Sequence, residues 1–281
     1  TILKNTFWLM GSDIIARTLR FLLIIYVARI LGADGWGLFS YALSFIGFTM
    51  MFSDGGISLF FIKEYTERKN KYLKTILILK IIALISTGIF AILSGFYFAS
   101  LPISTLVVPV TIILLTDSLR GFLNTFLRAQ EVMEKEAIVT FATNLAIVIF
   151  ATILVTIQKT PESLALGYMI GGIIGTSISF ILNIPFIKRT VIEIKKPGNE
   201  QLYFKPTLKF ILPITLITII NTAIANIDSI MLGIWTNSES VGFYATAQRL
   251  FQVTLIIPNV FISALYPTLA RAYTENRDQF V

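Results

Sequence analysis

An all-α, polytopic integral membrane fold is what this sequence predicts, on three observations. Of 281 residues, 55% are hydrophobic and only 14% are charged, with a mean hydropathy of +0.79. A soluble domain of this length needs far more polar surface. Apolar runs long enough to cross a hydrocarbon core, about 20 residues each, recur along the whole chain. Between them, Lys and Arg gather in alternate connections, which is the pattern of a multi-pass topology.

The runs fall at about 6–30, 38–62, 75–98, 104–127, 137–157, 162–187, 208–233 and 241–269, eight helices in all. The first is too long and too charged for a cleaved signal sequence and is expected to stay as a transmembrane helix. "KEYTERKNKYLK" (63–74) holds five basic residues, 128–136 holds Arg128 and Lys135, and the segment 188–209 holds six; Arg271 and Arg277 follow the last run. The intervening connections "GADGWG", "SLPIST", "QKTPES" and "TNSES" hold only Lys159. The positive-inside rule therefore puts the N-terminus, the basic loops and the C-terminal tail in the cytoplasm of a cell membrane. The net charge of +7 is spent on this asymmetry and on anionic headgroups, so no nucleic-acid partner is expected.

Composition also narrows the chemistry. Without Cys or His, the chain has no thiol nucleophile, no imidazole base and no Cys/His zinc site. It has no Walker-type phosphate loop, and its outward loops are too short to hold an active site. No cofactor, no metal and no enzymatic activity are expected.

Three domains follow from the runs: a six-helix transmembrane lobe (1–187), a cytoplasmic linker (188–207) carrying the turn-rich "KKPGN", and the first two helices of a second lobe (208–281). The division coincides with an internal repeat. "GLFSYALSF" (37–45) and "GFYATAQRLF" (242–251) match Gly37 with Gly242, Phe39 with Tyr244 and Ala42 with Ala247. Each follows a short outward hairpin, as a repeated helix pair would. On this reading the sequence covers the first two-thirds of a twelve- or fourteen-helix protein.

The informative residues are charges inside the apolar runs. In "GSDIIARTLRFLLIIYVARILG" (11–32), Asp13, Arg17 and Arg20 lie within about 60° on a helix turning 100° per residue. In the fourth run Asp117, Arg120, Asn124 and Arg128 span about 80° of one face. Asn221, Ala225 and Asp228 share a stripe in the seventh, and Gln248, Arg249 and Gln252 form a looser one in the eighth. Asp54 sits in "FSDGG", where two glycines weaken the second helix. Each ionised group at mid-membrane costs roughly 2.5–3.5 kcal/mol on insertion scales. Two readings fit: neutral pairs such as Asp13–Arg17 and Asp117–Arg120 that pack among the helices, or stripes that line a water-filled cavity. Asp228 and Arg249, both in the outer half, suit an interhelical pair or gate. Lys80, near the inner end of the third run, is read as snorkelling to the interface without a role, and Arg29 as an interfacial anchor. Gly167, Gly171 and Gly175 at four-residue spacing read as a helix-packing ridge. Pro213 and Pro258 are expected to bend their helices.

The segments "ILGADGWGLFSYALSFIGFTMMFSDGGISLFFIKEYTE" (30–67) and "DSLRGFLNTFLRAQEVMEKEAIV" (117–139) resemble the polysaccharide-biosynthesis flippases of the multidrug/oligosaccharidyl-lipid/polysaccharide exporter superfamily. The resemblance implies two six-helix lobes around a central cavity, alternating access, and transfer of lipid-linked oligosaccharide from the cytoplasmic to the outer leaflet. On that basis Arg17, Arg20, Arg120, Asn124 and Arg249 become the substrate-binding candidates, because guanidinium groups bind pyrophosphate bidentately. Asp13, Asp54, Asp117 and Asp228 then either balance those arginines or carry a coupling H⁺ or Na⁺. Two alternatives remain open: an ion-coupled drug antiporter of the same superfamily, and a membrane glycosyltransferase or polymerase. A non-transporting scaffold in wall assembly is a third.

Overall fold

The computed structural model describes residues 2–67, 72–194 and 202–254. Among them the chain is helical throughout, with no strand. The helices are α1 (Ile2–Thr49), a 3₁₀ turn (Met50–Ser53), α2 (Ile57–Thr66), α3 (Leu73–Tyr97), α4 (Ser104–Ala129), α5 (Met133–Gln158), α6 (Pro161–Ile194), α7 (Phe204–Trp235) and α8 (Ser238–Thr254). Five of these, α3 to α7, are long and apolar enough to cross a membrane. The other three expected spans fall on the two halves of α1, the second continuing through the 3₁₀ turn into α2, and on α8.

α1 is two helices joined at Gly32, whose φ of 70° only glycine adopts freely. The chain doubles back there. Asp13 and Gly47 line one cavity and Leu23 packs in one cluster with Ile46, whereas a straight helix would hold Asp13 and Gly47 about 51 Å apart. The predicted second span is interrupted rather than continuous. Its helix stops at Thr49, turns through Met50–Ser53, and restarts at Ile57 after Gly55 (φ 49°) and Gly56 (φ 87°). α6 also outruns its expected end at 187 and takes the first residues of the linker up to Ile194. Its spaced Ile residues there extend the helix although Lys188 and Arg189 leave the apolar zone. Residues 195–201 of the linker, together with Pro258, Arg271 and Arg277, lie outside the described residues, as does the side chain of Gln252.

Close helix approach organises the bundle. A Cβ on Gly171 would come within 2.6 Å of the Ile147 Cα, one on Gly167 within 2.6 Å of the Ala151 nitrogen, and one on Gly175 within 2.7 Å of the Thr143 Cβ. The glycine ridge of α6 therefore seats its backbone directly on α5, the packing use expected of such spacing in lipid. One apolar cluster spans the halves of α1, α3 to α6 and α8 toward the short-loop end; a second, around Phe61, Phe122, Phe126 and Ile211, fills the basic-loop end.

The internal repeat has a structural counterpart. A Cβ on Gly37 would fall on the Ser238 carbonyl and within 2.9 Å of the Gly242 nitrogen. One on Gly242 would fall on the Ala33 carbonyl and lie 3.2 Å from the Gly37 nitrogen. With an offset of 205, Ser238 corresponds to Ala33 and Gly242 to Gly37, so residue 37 meets the mate of 33 while 33 meets the mate of 37. Such reciprocity is the signature of a two-fold contact. Ser238 Oγ also donates to Asp34, across the same crossing.

Candidate functional site

A cavity of about 630 Å³ lies between the two halves of α1 and helices α4 to α8. α1 contributes Asp13, Arg17, Arg20, Trp36 and Phe39; α4 contributes Asp117, α5 Thr140 and Asn144, α6 Tyr168, α7 Asn226 and α8 Arg249. Counting residues from each helix's short-loop end, at about 1.5 Å per residue, orders these groups in depth. Trp36 and Phe39 lie near 6–10 Å, Arg249 near 16 Å, Arg20, Asp117 and Asn144 near 18–21 Å, and Arg17 and Asp13 deeper still. The short-loop end is shut by the Gly37–Gly242 crossing and by Gly233, whose missing side chain makes room for the Tyr41 ring. Toward the basic-loop end the Arg17 and Asp13 side chains are 56% and 62% exposed and only 3.7 Å apart. Close helix packing therefore marks the short-loop end, and exposed charges the basic-loop end.

Its middle is positively charged. Arg20 donates Nε–H to the Asn144 Oδ1, which fixes the guanidinium against α5. Arg249, arriving from α8, lines the same cavity as Arg20, Tyr168 and Asp117. Arginines from two different helices, α1 and α8, thus line one space. Three arginines face two aspartates in the lining, and Asp117 is already held at 2.6 Å by Arg120 from behind. In a confined, low-dielectric space guanidinium groups are strong hydrogen-bonding partners for anions. No group of three or more metal-ligating side chains occurs among the described residues.

The nine candidate residues separate into two groups. Asp13, Arg17, Arg20, Asp117 and Arg249 line the cavity together. Arg120 stands outside the lining and reaches it only through Asp117. Asn124 is 7% exposed and accepts a hydrogen bond from Ser179 Oγ at 3.0 Å, so α6 covers the part of the α4 face on which it lies. Arg128 turns to α5 and grips the buried Glu136 through both carboxylate oxygens. Asp228 accepts from the Tyr244 hydroxyl at 2.5 Å, while Arg249 faces the cavity.

Lys80 requires a correction. It is 2% exposed and does not snorkel. Its ammonium donates to Asp54 Oδ1 at 2.8 Å, to the Ser53 carbonyl at 2.9 Å and to Ser118 Oγ at 3.0 Å. Distance to a helix end does not measure distance to water when the helix break and α4 lie across the side chain. Asp54 therefore belongs to this cluster and not to the cavity.

Asn144, Thr140, Asn226, Tyr168 and Trp36 are lining residues that charge-based reasoning passed over. Thr140 and Asn144, four apart in sequence, share one face of α5. Trp36 is 2% exposed and its indole N–H has no hydrogen-bond partner; nothing in its sequence context marks it.

The fold and cavity define a polytopic α-helical membrane protein with an internal, arginine-bearing cavity. The chain belongs to the polysaccharide biosynthesis protein family, whose model matches residues 2–273. A comparison with curated proteins found no match.

Proposed function

We propose that the protein flips lipid-linked oligosaccharide, a polyprenyl-pyrophosphate sugar, from the cytoplasmic to the outer leaflet of the cell membrane by alternating access. The convergence of Arg20 and Arg249 on one cavity carries this reading. Two like charges are tolerated side by side at mid-membrane depth when an anion bridges them, and a pyrophosphate offers several oxygens to two planar guanidinium groups. The reciprocal Gly37–Gly242 crossing supports the rest of the cycle. It is a thin seal between two repeats, and separating them would open the cavity at the short-loop end while the basic-loop end closes. The topology in this reading has the N-terminus and basic loops in the cytoplasm, so the state described faces inward. The protein moves its substrate and makes or breaks no covalent bond. Family membership supports the glycan-pathway assignment. A cavity for cationic drugs would carry an excess of carboxylates, the reverse of this lining.

The test is export in cells carrying the full-length protein. Arg20→Ala or Arg249→Ala should block surface glycan and leave sugar-bearing lipid on the inner leaflet. Arg20→Lys should rescue only in part, because an ammonium keeps the charge and loses the planar fork. Normal export by both alanine variants at normal protein level would refute the head-group role.

A further inference from the structure

We propose that Ser44 and Asn226 determine which sugar the cavity accepts, as parts of a neutral face that pairs with saccharide hydroxyls and is separate from the arginines. The inference rests on the flippase reading above and deepens it from the head group to the glycan.

The lining divides by helix. Its ionised groups come from the first half of α1, from α4 and from α8, as Asp13, Arg17, Arg20, Asp117 and Arg249. The second half of α1, with α6 and α7, contributes no charge, and its polar members are Trp36, Ser44, Tyr168 and Asn226. The two sets also differ in what they already hold. Arg17 faces Asp13 at 3.7 Å, Asp117 is held by Arg120 at 2.6 Å, and the Asn144 amide is taken up by Arg20 and the Thr140 carbonyl. On the neutral side, the Ser44 and Tyr168 hydroxyls, the Asn226 Oδ1 and the Trp36 indole N–H have no hydrogen-bond partner among the described residues. Trp36 is 2% exposed, and a buried donor left unpaired is costly until an outside oxygen meets it.

Asn226 decides the chemistry. Its Nδ2 donates to the Thr222 carbonyl at 2.8 Å, which leaves Oδ1 as the free end. That oxygen lies 3.7 Å from where a Cβ on Gly47 would stand, so the absent side chain of Gly47 keeps the space between α1 and α7 open in front of it. Ser44 sits one turn before Gly47 on the same face of α1 and lines the same space. An amide oxygen accepts and cannot donate, so the ligand group that meets it must bring a hydrogen. An ionised phosphate offers acceptor oxygens only, and a prenyl chain offers neither donor nor acceptor, which would leave every one of these groups unpaired. A sugar hydroxyl does both: it gives its hydrogen to Asn226 Oδ1 and takes one from the Ser44 hydroxyl or the Trp36 indole. Trp36 and Ser44 are eight residues apart, about 12 Å along a helix, so the neutral groups address an extended ligand and not a single atom. A lipid-linked sugar has both parts, an anionic head for the arginines and a polyol for this face.

The test is equilibrium binding to the purified full-length protein of four probes: farnesyl pyrophosphate, and the same lipid carrying glucose, galactose or N-acetylglucosamine on its terminal phosphate. The wild type should hold at least one sugar-bearing probe roughly tenfold tighter than the bare one, the combined worth of two or more neutral hydrogen bonds. Ser44→Ala and Asn226→Ala, both neutral changes that a helix tolerates, should each remove roughly 2- to 12-fold of that gain, the worth of one such bond. Their affinity for bare farnesyl pyrophosphate should match the wild type. No gain from any of the three sugars in the wild type would overturn the proposal, and so would a gain that survives in Ser44→Ala/Asn226→Ala. Equal losses for bare and sugar-bearing probes in the two variants would overturn it as well and leave both residues structural. The head-group reading fails separately: Arg20→Ala should weaken all four probes alike, and bare-probe affinity left intact in Arg20→Ala would refute that reading while the sugar-dependent gain stays measurable.

Discussion

Gly37→Ala probes the seal at the short-loop end with a single methyl group. The new Cβ would fall on the Ser238 carbonyl, 2.7 Å from its carbon and 2.9 Å from the Gly242 nitrogen. All three are backbone atoms on α8, so no rotamer change relieves the clash and the helices must separate. Forcing a methylene into a packed site costs about 1–3 kcal/mol, which shifts the closed-to-open ratio by roughly 5- to 150-fold; contact with backbone puts this case toward the upper end. A cysteine at Leu43, deep in the cavity wall, reports the change. In Gly37→Ala it should label faster from the short-loop side and more slowly from the basic-loop side, with little loss of folded protein. Gly121→Ala is the control, since nothing lies within 4 Å of its Cβ position. Unchanged labelling in Gly37→Ala, or equal changes in both variants, would refute the view that this crossing is the seal.

Two further outcomes are expected. Cysteines at Lys69 and Lys195 should resist an impermeant reagent in intact cells, while one at Ser100 should react; the reverse pattern would invert the topology. Asp54→Asn alone should destabilise the protein by roughly 3–5 kcal/mol, because it strands the buried Lys80 ammonium without its carboxylate, whereas Asp54→Asn/Lys80→Met should recover most of the loss in thermal unfolding. Equal melting of the single and double variants would show that the pair contributes nothing.

The helical architecture was legible because a bilayer forces each span to be long, apolar and internally hydrogen-bonded. Arg17 and Arg20 were legible for a related reason: an arginine within a spanning run has few uses besides a polar cavity. Asn124 shows where that logic stops. Its angle on α4 was right, but an angle gives the face and not the neighbour, and Ser179 of α6 covers that part of the face. Lys80 was misread through depth, since the break after Ser53 and the Ser118 hydroxyl bury it from the side. The break itself was half visible in the paired glycines of "FSDGG"; that it would hold a buried ion pair depended on which helix arrives beside it. Tyr168 carried no signal, because an aromatic residue in an apolar run looks the same in a core and in a cavity wall; Trp36 fell in the expected connection "GADGWG", outside any run. The 37/242 repeat was visible as a short match, and its reciprocal contact needed the two helices brought face to face.

The central claim is that Arg20 and Arg249 form one anion site between the two repeats. Its most direct measurement is equilibrium binding of a short-chain polyprenyl pyrophosphate to the purified full-length protein, compared across Arg20→Ala, Arg249→Ala and the double variant. If both guanidinium groups hold the same head, the second substitution should cost much less than the first, the non-additivity expected of groups sharing one partner. Each single variant should lose roughly tenfold or more, the worth of one charge-assisted hydrogen bond at about 1.5–3 kcal/mol. Full additivity would contradict a shared site, and wild-type affinity in the double variant would contradict an arginine-bound head altogether.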